Sequence, residues 1–408
     1  MESGVDSGPT PESELPGWTE VAALLECAHR HETYAQAAYW ALEMLHGRLG
    51  EDWLRRAVSK SEDGFPLALD LLGSHTLALA EALEWAIRLD LSSDWDGGAD
   101  MLRDLRCDPR TARLLHTRAQ LTVAAAASRL GWPVELEPSG ENRRPADVKF
   151  STPAGTAIAE IRVLTQSMGA RDRFAAAESE SEWLTMLGLT EGIWIGGKLD
   201  RHLTPSERDT VEEFVKSNAA HVLEGKRPSL SLDGATLTLA SRATDAGALH
   251  SPTVKEDLFW RMVHAIAEKA VKMKESGAQW LHITVLTGLW AFTVWAQSPL
   301  DEKLQIMMSA LDDVLDDQKP EGIILCSAAG LAASTTEETA QTRNGVALRR
   351  AVRPLRARET LIMGFSPGAQ AMIPAWQALA DAEGDWLDWA LDRYALPNIG
   401  EILPPSSA

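Results

Sequence analysis

The spacing of apolar residues changes at Gly131. Before it, VAALLECAHRHETYAQAAYWALEML and TARLLHTRAQLTVAAAASRL repeat apolar residues at three- and four-residue steps, which predicts helices. After it, WPVELEP, PADVKFST and TAIAEIRVL are short extended runs separated by Pro, Gly, Ser and Asn, which predicts strands. The change implies an α/β fold: a helical N-terminal region, then an α/β domain built on a mixed central sheet. The expected division is a disordered lead-in at 1–16, a helical region at 17–108, the α/β domain with its closing helix at 109–400, and a tail at 401–408.

Downstream, IWIGGKL reads as a strand, and Thr204-Pro-Ser-Glu207 is a capping box that opens a helix running to about Glu224. SLSLDGATLTLAS reads as a hairpin around Asp233-Gly234. A second capping-box pattern at Thr253–Glu256, the strand WLHITVL, a helix from Ser298, the buried strand GIILCSA, the strand LRARETLIMG and the helix DAEGDWLDWALDRY complete the alternation. A polar helix is expected from about Arg171 to Leu187.

Composition narrows the function classes. The 408 residues carry a formal net charge of -20, so any contact with a polyanion must be local. Cys27, Cys107 and Cys326 are widely spaced, which suits a reducing compartment and neither a disulfide framework nor a zinc site. The N-terminus is polar and acidic, unlike a signal peptide, and no apolar run of membrane-spanning length occurs. These features predict a soluble, cytoplasmic protein without a membrane partner.

Candidate chemistry lies in PADVKFSTPAGTAIAEIRVL. On the second run, Glu160 and Arg162 share a face; on the first, Asp147 and Lys149 do. Pairing through the Pro153-Ala154-Gly155 turn would set Asp147 beside Glu160. Two such carboxylates are hard oxygen ligands suited to Mg²⁺ or Mn²⁺, which lower the pKa of a bound water. A neighbouring cation could orient that water or stabilise charge on a phosphate. The other reading is a salt-bridged face in which Glu160 and Arg162 pair with neighbours.

This hairpin resembles the PD-(D/E)XK nuclease superfamily, whose signature is an acid on one strand and E-x-K on the next. Here Pro145-Ala146-Asp147 has one residue inserted, and Glu160-Ile161-Arg162 has arginine in the lysine position. The preceding helix from Thr111 to Leu130 and the strand carrying Glu135 and Glu137 fit the same core. The resemblance implies a restriction-endonuclease-like mixed sheet flanked by helices and a Mg²⁺-dependent endonuclease hydrolysing DNA. Asp147 and Glu160 would hold the metal, with Glu137 as a possible extra ligand. Arginine keeps the charge but transfers no proton near neutral pH. Either Lys149 supplies the amine, or the site has lost cleavage and the fold serves as a binding or assembly module.

Two arginine-rich stretches are candidate phosphate contacts. One holds Arg103, Arg106, Arg110, Arg113 and Arg118; the other holds Arg349, Arg350, Arg353, Arg356 and Arg358, with Arg343 just before. Each can equally be a solvated face. Trp290 and Trp295 suit base stacking or core packing. The N-terminal helices are candidates for a protein partner or a homo-oligomer contact. The histidines are read as structural or surface residues, and no Walker loop or GxGxxG occurs.

Overall fold

A computed structural model describes residues 17–27, 32–59, 76–138, 145–164, 183–184, 187–188, 190–199, 201, 203–246, 249–250, 258–273, 276–285, 299–315, 319–327, 330–331, 337–352 and 356–402. The expected N-terminal lead-in, the second capping-box pattern, Arg353, Trp290, Trp295 and most of the helix expected at 171–187 lie outside them.

The chain begins with helices α1 (Trp18–Cys27), α2 (Glu32–Leu49), α3 (Trp53–Ser59), α4 (Thr76–Leu91), α5 (Gly98–Cys107) and α6 (Thr111–Arg129). Strands β1 (Val134–Leu136), β2 (Val148–Thr152) and β3 (Gly155–Leu164) follow. Next come β4 (Trp194–Leu199), α7 (Pro205–Leu223), β5 (Ser229–Leu232), β6 (Ala235–Ala240), α8 (Ala243–Ala246) and β7 (Leu249–His250). The chain continues through α9 (Leu258–Met273), β8 (Trp280–Val285), α10 (Leu300–Leu315), β9 (Gly322–Ser327) and β10 (Gly330–Leu331). It closes with β11 (Glu338–Thr342), β12 (Gly345–Val352), β13 (Arg356–Gly364), α11 (Pro367–Gly384), α12 (Trp386–Arg393) and α13 (Ile399–Ile402).

Two compact units form, and neither boundary falls at the expected 108/109 division. One unit is Met1–Leu164 with Phe259–Ala408; the other is Thr165–Leu258, inserted after β3. The helical region does not separate because α2, α4, α5 and α6 share one apolar core with the sheet.

In the larger unit the strand order is β1-β2-β3-β8-β9-β13-β12-β11, with β10 on β13. The sheet is mixed. β1–β2–β3 is an antiparallel meander, β3–β8–β9 runs parallel, and β13, β12 and β11 return antiparallel. Strand alternation divides its residues between two cores. Val148, Phe150, Ala157, Ala159, Ile161, Trp280 and Ile324 pack under α6, α11 and the N-terminal helices. Leu281, Ile283, Val285, Ile323 and Leu325 pack under α9 and α10. In α6, Ala124 to Ala127 are buried, and these small side chains let the helix lie close to β3. Trp280 lies over Gly322, its register partner across β8–β9; a Cβ on Gly322 would sit 2.2 Å from the indole ring.

In the inserted unit the order is β5-β6-β4-β7, with α7 packed on one face through Val211, Val215 and Val222. The capping box forms as the sequence predicts, with Thr204 and Glu207 bonding reciprocally. The expected hairpin turn is also present, with Gly234 at φ 74. No helix among the described residues is long and apolar enough to cross a membrane.

Candidate functional site

Asp147 sits one residue before β2, and the β2–β3 register of Val148 with Ala159 brings it to Glu160. Its N–H donates to the Ala159 carbonyl at 3.1 Å. The side chain turns into the β3 backbone, where Oδ2 accepts the Ile161 N–H at 2.6 Å. The Asp147 carbonyl accepts from Gln120 Nε2 at 2.7 Å and from the Glu137 N–H at 3.0 Å. His116, one turn before Gln120 on α6, places Nε2 3.2 Å from Asp147 Oδ1.

Arg162 joins the two acids. Its Nη1 lies 3.5 Å from Asp147 Oδ2 and donates to the Ile161 carbonyl at 2.9 Å, while Nη2 donates to Glu160 Oε1. Glu160 is 1% exposed, so its charge is out of water and must be compensated. A guanidinium suits that task because its planar fork serves two acceptors at once and stays charged. Expected ligands Asp147 and Glu160 are thus brought together, with Arg162 as the cation between them.

The other candidates are placed elsewhere. Lys149 Nζ pairs with Glu135 Oε2 at 2.7 Å, its register partner on β1. Glu137 adopts a φ of 47 and turns its carboxylate to Arg113 at 3.2 Å, so the contribution it makes to Asp147 is a backbone one. Among the described residues, no group of three or more His, Cys, Asp and Glu side chains is arranged to hold a metal.

Among the described side chains, Arg349, Arg350 and Arg358 do not form one patch. Their run folds as the β12–β13 hairpin, and strand alternation distributes them between the faces. Arg349 lies opposite Glu359 and donates to its Oε1 at 2.7 Å and to Glu338 at 2.6 Å. Arg350 lies opposite Arg358, and the two reach Asp381 and Glu383 of α11. Arg356 opens β13. The N-terminal arginines are likewise partnered: Arg103 with Asp100, Arg110 with Asp108, Arg113 with Glu137, Arg118 with Glu81, and Arg106 with the Arg48 carbonyl.

Sequence reasoning missed three features. His116 and Gln120 carry an i, i+4 signal, yet nothing local ties that spacing to Asp147. Lys303 on α10 is fully buried and binds Glu359 Oε2 at 2.6 Å. His282 on β8 is buried with Nε2 3.5 Å from Cys326 Sγ. Burial, then the Arg358 charge, pulls His282 down to about 3, and burial pushes the Cys326 thiol up. A thiol shifted that way is an inert core group rather than an activated nucleophile.

No family model, curated protein or solved structure matches the chain.

Proposed function

We propose that the chain is a divergent PD-(D/E)XK-like protein whose restriction-endonuclease-like core serves as a non-hydrolytic binding or assembly module. The support for the family reading is the order α6–β1–β2–β3–α9–β8. An acid stands at the head of β2, E-x-R lies on β3, and β8 returns parallel to β3. The inserted unit lies in the chain between β3 and the helix that leads back to the sheet.

The observation that carries the non-hydrolytic reading is the contact of one guanidinium, Arg162, with both acids. A divalent ion entering there must displace a fixed positive charge that never deprotonates near neutral pH. Asp147 is also occupied by the Ile161 N–H and His116. The donor set as arranged therefore does not fit Mg²⁺ or Mn²⁺. Among the described residues, Arg103, Arg110, Arg113, Arg118, Arg349, Arg350 and Arg358 are already held by acids of the same chain, which favours a partner other than a bare polyanion.

The second reading is a Mg²⁺-dependent endonuclease, favoured by the convergence of Asp147 and Glu160. Incubation with single- and double-stranded DNA and RNA in Mn²⁺, with the melting temperature followed in parallel, separates the two. The non-hydrolytic reading predicts neither cleavage nor a metal-dependent shift. Cleavage and a shift that both vanish in Asp147→Asn and Glu160→Gln would establish the endonuclease.

A further inference from the structure

The two edges of the large sheet differ. At one end the outer side of β1 is occupied: the Leu136 N–H donates to the Asp96 carbonyl at 2.7 Å, and Asp96 bridges Glu135. At the other end β11 pairs with β12, and among the described residues nothing pairs with its outer side. Natural edge strands are commonly blunted by Pro, Lys or a bulge. β11, with the sequence ETAQT, has none of these, and its register with β12 is unbroken. The two-residue turn after Thr342 makes Thr342 and Gly345 a bonded pair. Alternation then directs the N–H and C=O of Thr339 and Gln341 away from β12.

Two charges flank this open edge. Glu337, just before β11, and Arg343, just after it, are exposed and make no ion pair among the described residues. Their neighbours are paired, Glu338 with Arg349 and Arg350 with Asp381. Glu337 also lines an open cleft of about 460 Å³ between the start of β11 and the end of α11, together with Arg350, Asp381 and Asp385. Arg350 is committed there, donating to Asp381 at 2.6 Å and to the Glu338 carbonyl at 2.9 Å, and Asp385 is held by Arg129. Glu337 is thus the acid of the cleft that still lacks a cation. Arg343 of the same chain cannot supply it, because six residues of strand separate the two by about 20 Å.

We propose that two copies of the chain join edge to edge through β11, antiparallel about a two-fold axis at Ala340. In that register Thr339 of each copy lies opposite Gln341 of the other, so the outward backbone groups bond each other. Ala340 meets Ala340, and Glu338 meets Thr342, so no like charges are opposed. One step further out, Glu337 of each copy lies opposite Arg343 of the other, which brings a guanidinium to the cleft. A two-fold contact is self-complementary, and this one matches both flanking charges twice. Strands this short bury little surface, so the dimer is weak and concentration-dependent. The inference goes beyond the reading above: its residues do not include the Arg162 cluster, and neither metal nor nucleic acid enters its test, so either can fail alone.

Sedimentation velocity on the full chain, from about 1 µM to about 500 µM, tests it. Salt of about 0.15 M screens the long-range repulsion between two chains of charge -20 and leaves contact pairs in place. The wild-type protein should pass from monomer to dimer across that range. Glu337→Arg and Arg343→Glu each set like charges opposite one another at both ends of the contact, and each alone should weaken the dimer about tenfold or more. Mixing the two single variants restores opposite charges at both ends and should return the dimer, as should combining both changes in one chain. Both positions are exposed, so melting temperatures should stay at the wild-type value. A wild-type chain that remains monomeric at the highest concentration overturns the proposal. So does a dimer that either single variant leaves unchanged, or one that the mixture fails to restore.

Discussion

Two buried charge clusters lie on the same sheet and are built with opposite proportions. At β2–β3 a single cation, Arg162, serves two carboxylates, Asp147 and Glu160. At β12–β13 a single carboxylate, Glu359, serves two cations, Lys303 and Arg349. The second cluster is balanced by Glu338, which takes the remaining arm of Arg349. Lys303 is fully buried, so its pair with Glu359 is a structural contact. Among the described residues, the first cluster sets Arg162 against two acids, with a histidine ring, charged when protonated, beside Asp147. An acid-rich cluster has two carboxylates for a metal once its arginine is taken away; a base-matched one does not. The difference therefore separates a candidate site from a scaffold contact, and the arginine of the second cluster is also the more exposed of the two.

The comparison breaks most visibly at Glu359. Glu359→Ala leaves the Lys303 ammonium buried without its carboxylate, and should cost about 3–5 kcal/mol in denaturant unfolding. A loss below 1 kcal/mol would show that Lys303 finds water, and the scaffold assignment would fail. Arg162→Met should cost somewhat less, about 3 kcal/mol, because a carboxylate left alone can take up a proton and Asp147 keeps the Ile161 N–H bond. Adding Glu160→Gln to Arg162→Met should recover at least half of that loss. If the two changes are simply additive, the pair is not coupled.

His282 sharpens the comparison as a buried base whose nearest charge is a cation, Arg358. Its folded pKa of about 3 lies below the ordinary 6.5, so between those values the unfolded chain binds a proton that the folded chain does not. Stability is thus full above the ordinary value and falls as pH drops toward the folded one, by about 1.4 kcal/mol per pH unit. Urea titrations from pH 7 to pH 4 should show that slope, reduced by about that amount in His282→Leu; equal slopes in the two proteins would mean His282 is reached by water. The smallest effect belongs to Lys149. Its pair with Glu135 is about a third exposed, so Lys149→Met should change stability by less than about 1 kcal/mol and leave the Arg162 site unaltered.

The β2–β3 hairpin was legible because strict alternation in TAIAEIRVL fixes which residues share a face, and the Pro153–Gly155 turn fixes the register. The pairing of Arg349, Arg350 and Arg358 with acids was not legible because a linear charge count ignores it. Once folded as a hairpin, neighbours in sequence point to opposite faces. Helix α11 escaped notice because Gly368 and Pro374 lower its helix propensity, and only Ser366-Pro367 signalled the start. The Ser366 hydroxyl does accept from the Ala369 N–H at 3.1 Å. The insertion boundary after Leu164 left no mark, since strands and helices alternate on both sides of it. His116, Lys303 and Glu359 were hidden for a common reason: each owes its role to a partner brought close by tertiary packing.

The central claim is that Arg162 closes the acid pair to metal. Isothermal titration of Mn²⁺ into the wild-type protein and Arg162→Lys tests it most directly, since lysine keeps the charge but cannot bridge both carboxylates as a planar fork does. The account predicts no saturable heat at millimolar Mn²⁺ in the wild type. It predicts one-site binding in Arg162→Lys that disappears when Asp147→Asn is added. Saturable binding to the wild-type protein, lost in Asp147→Asn, would contradict it.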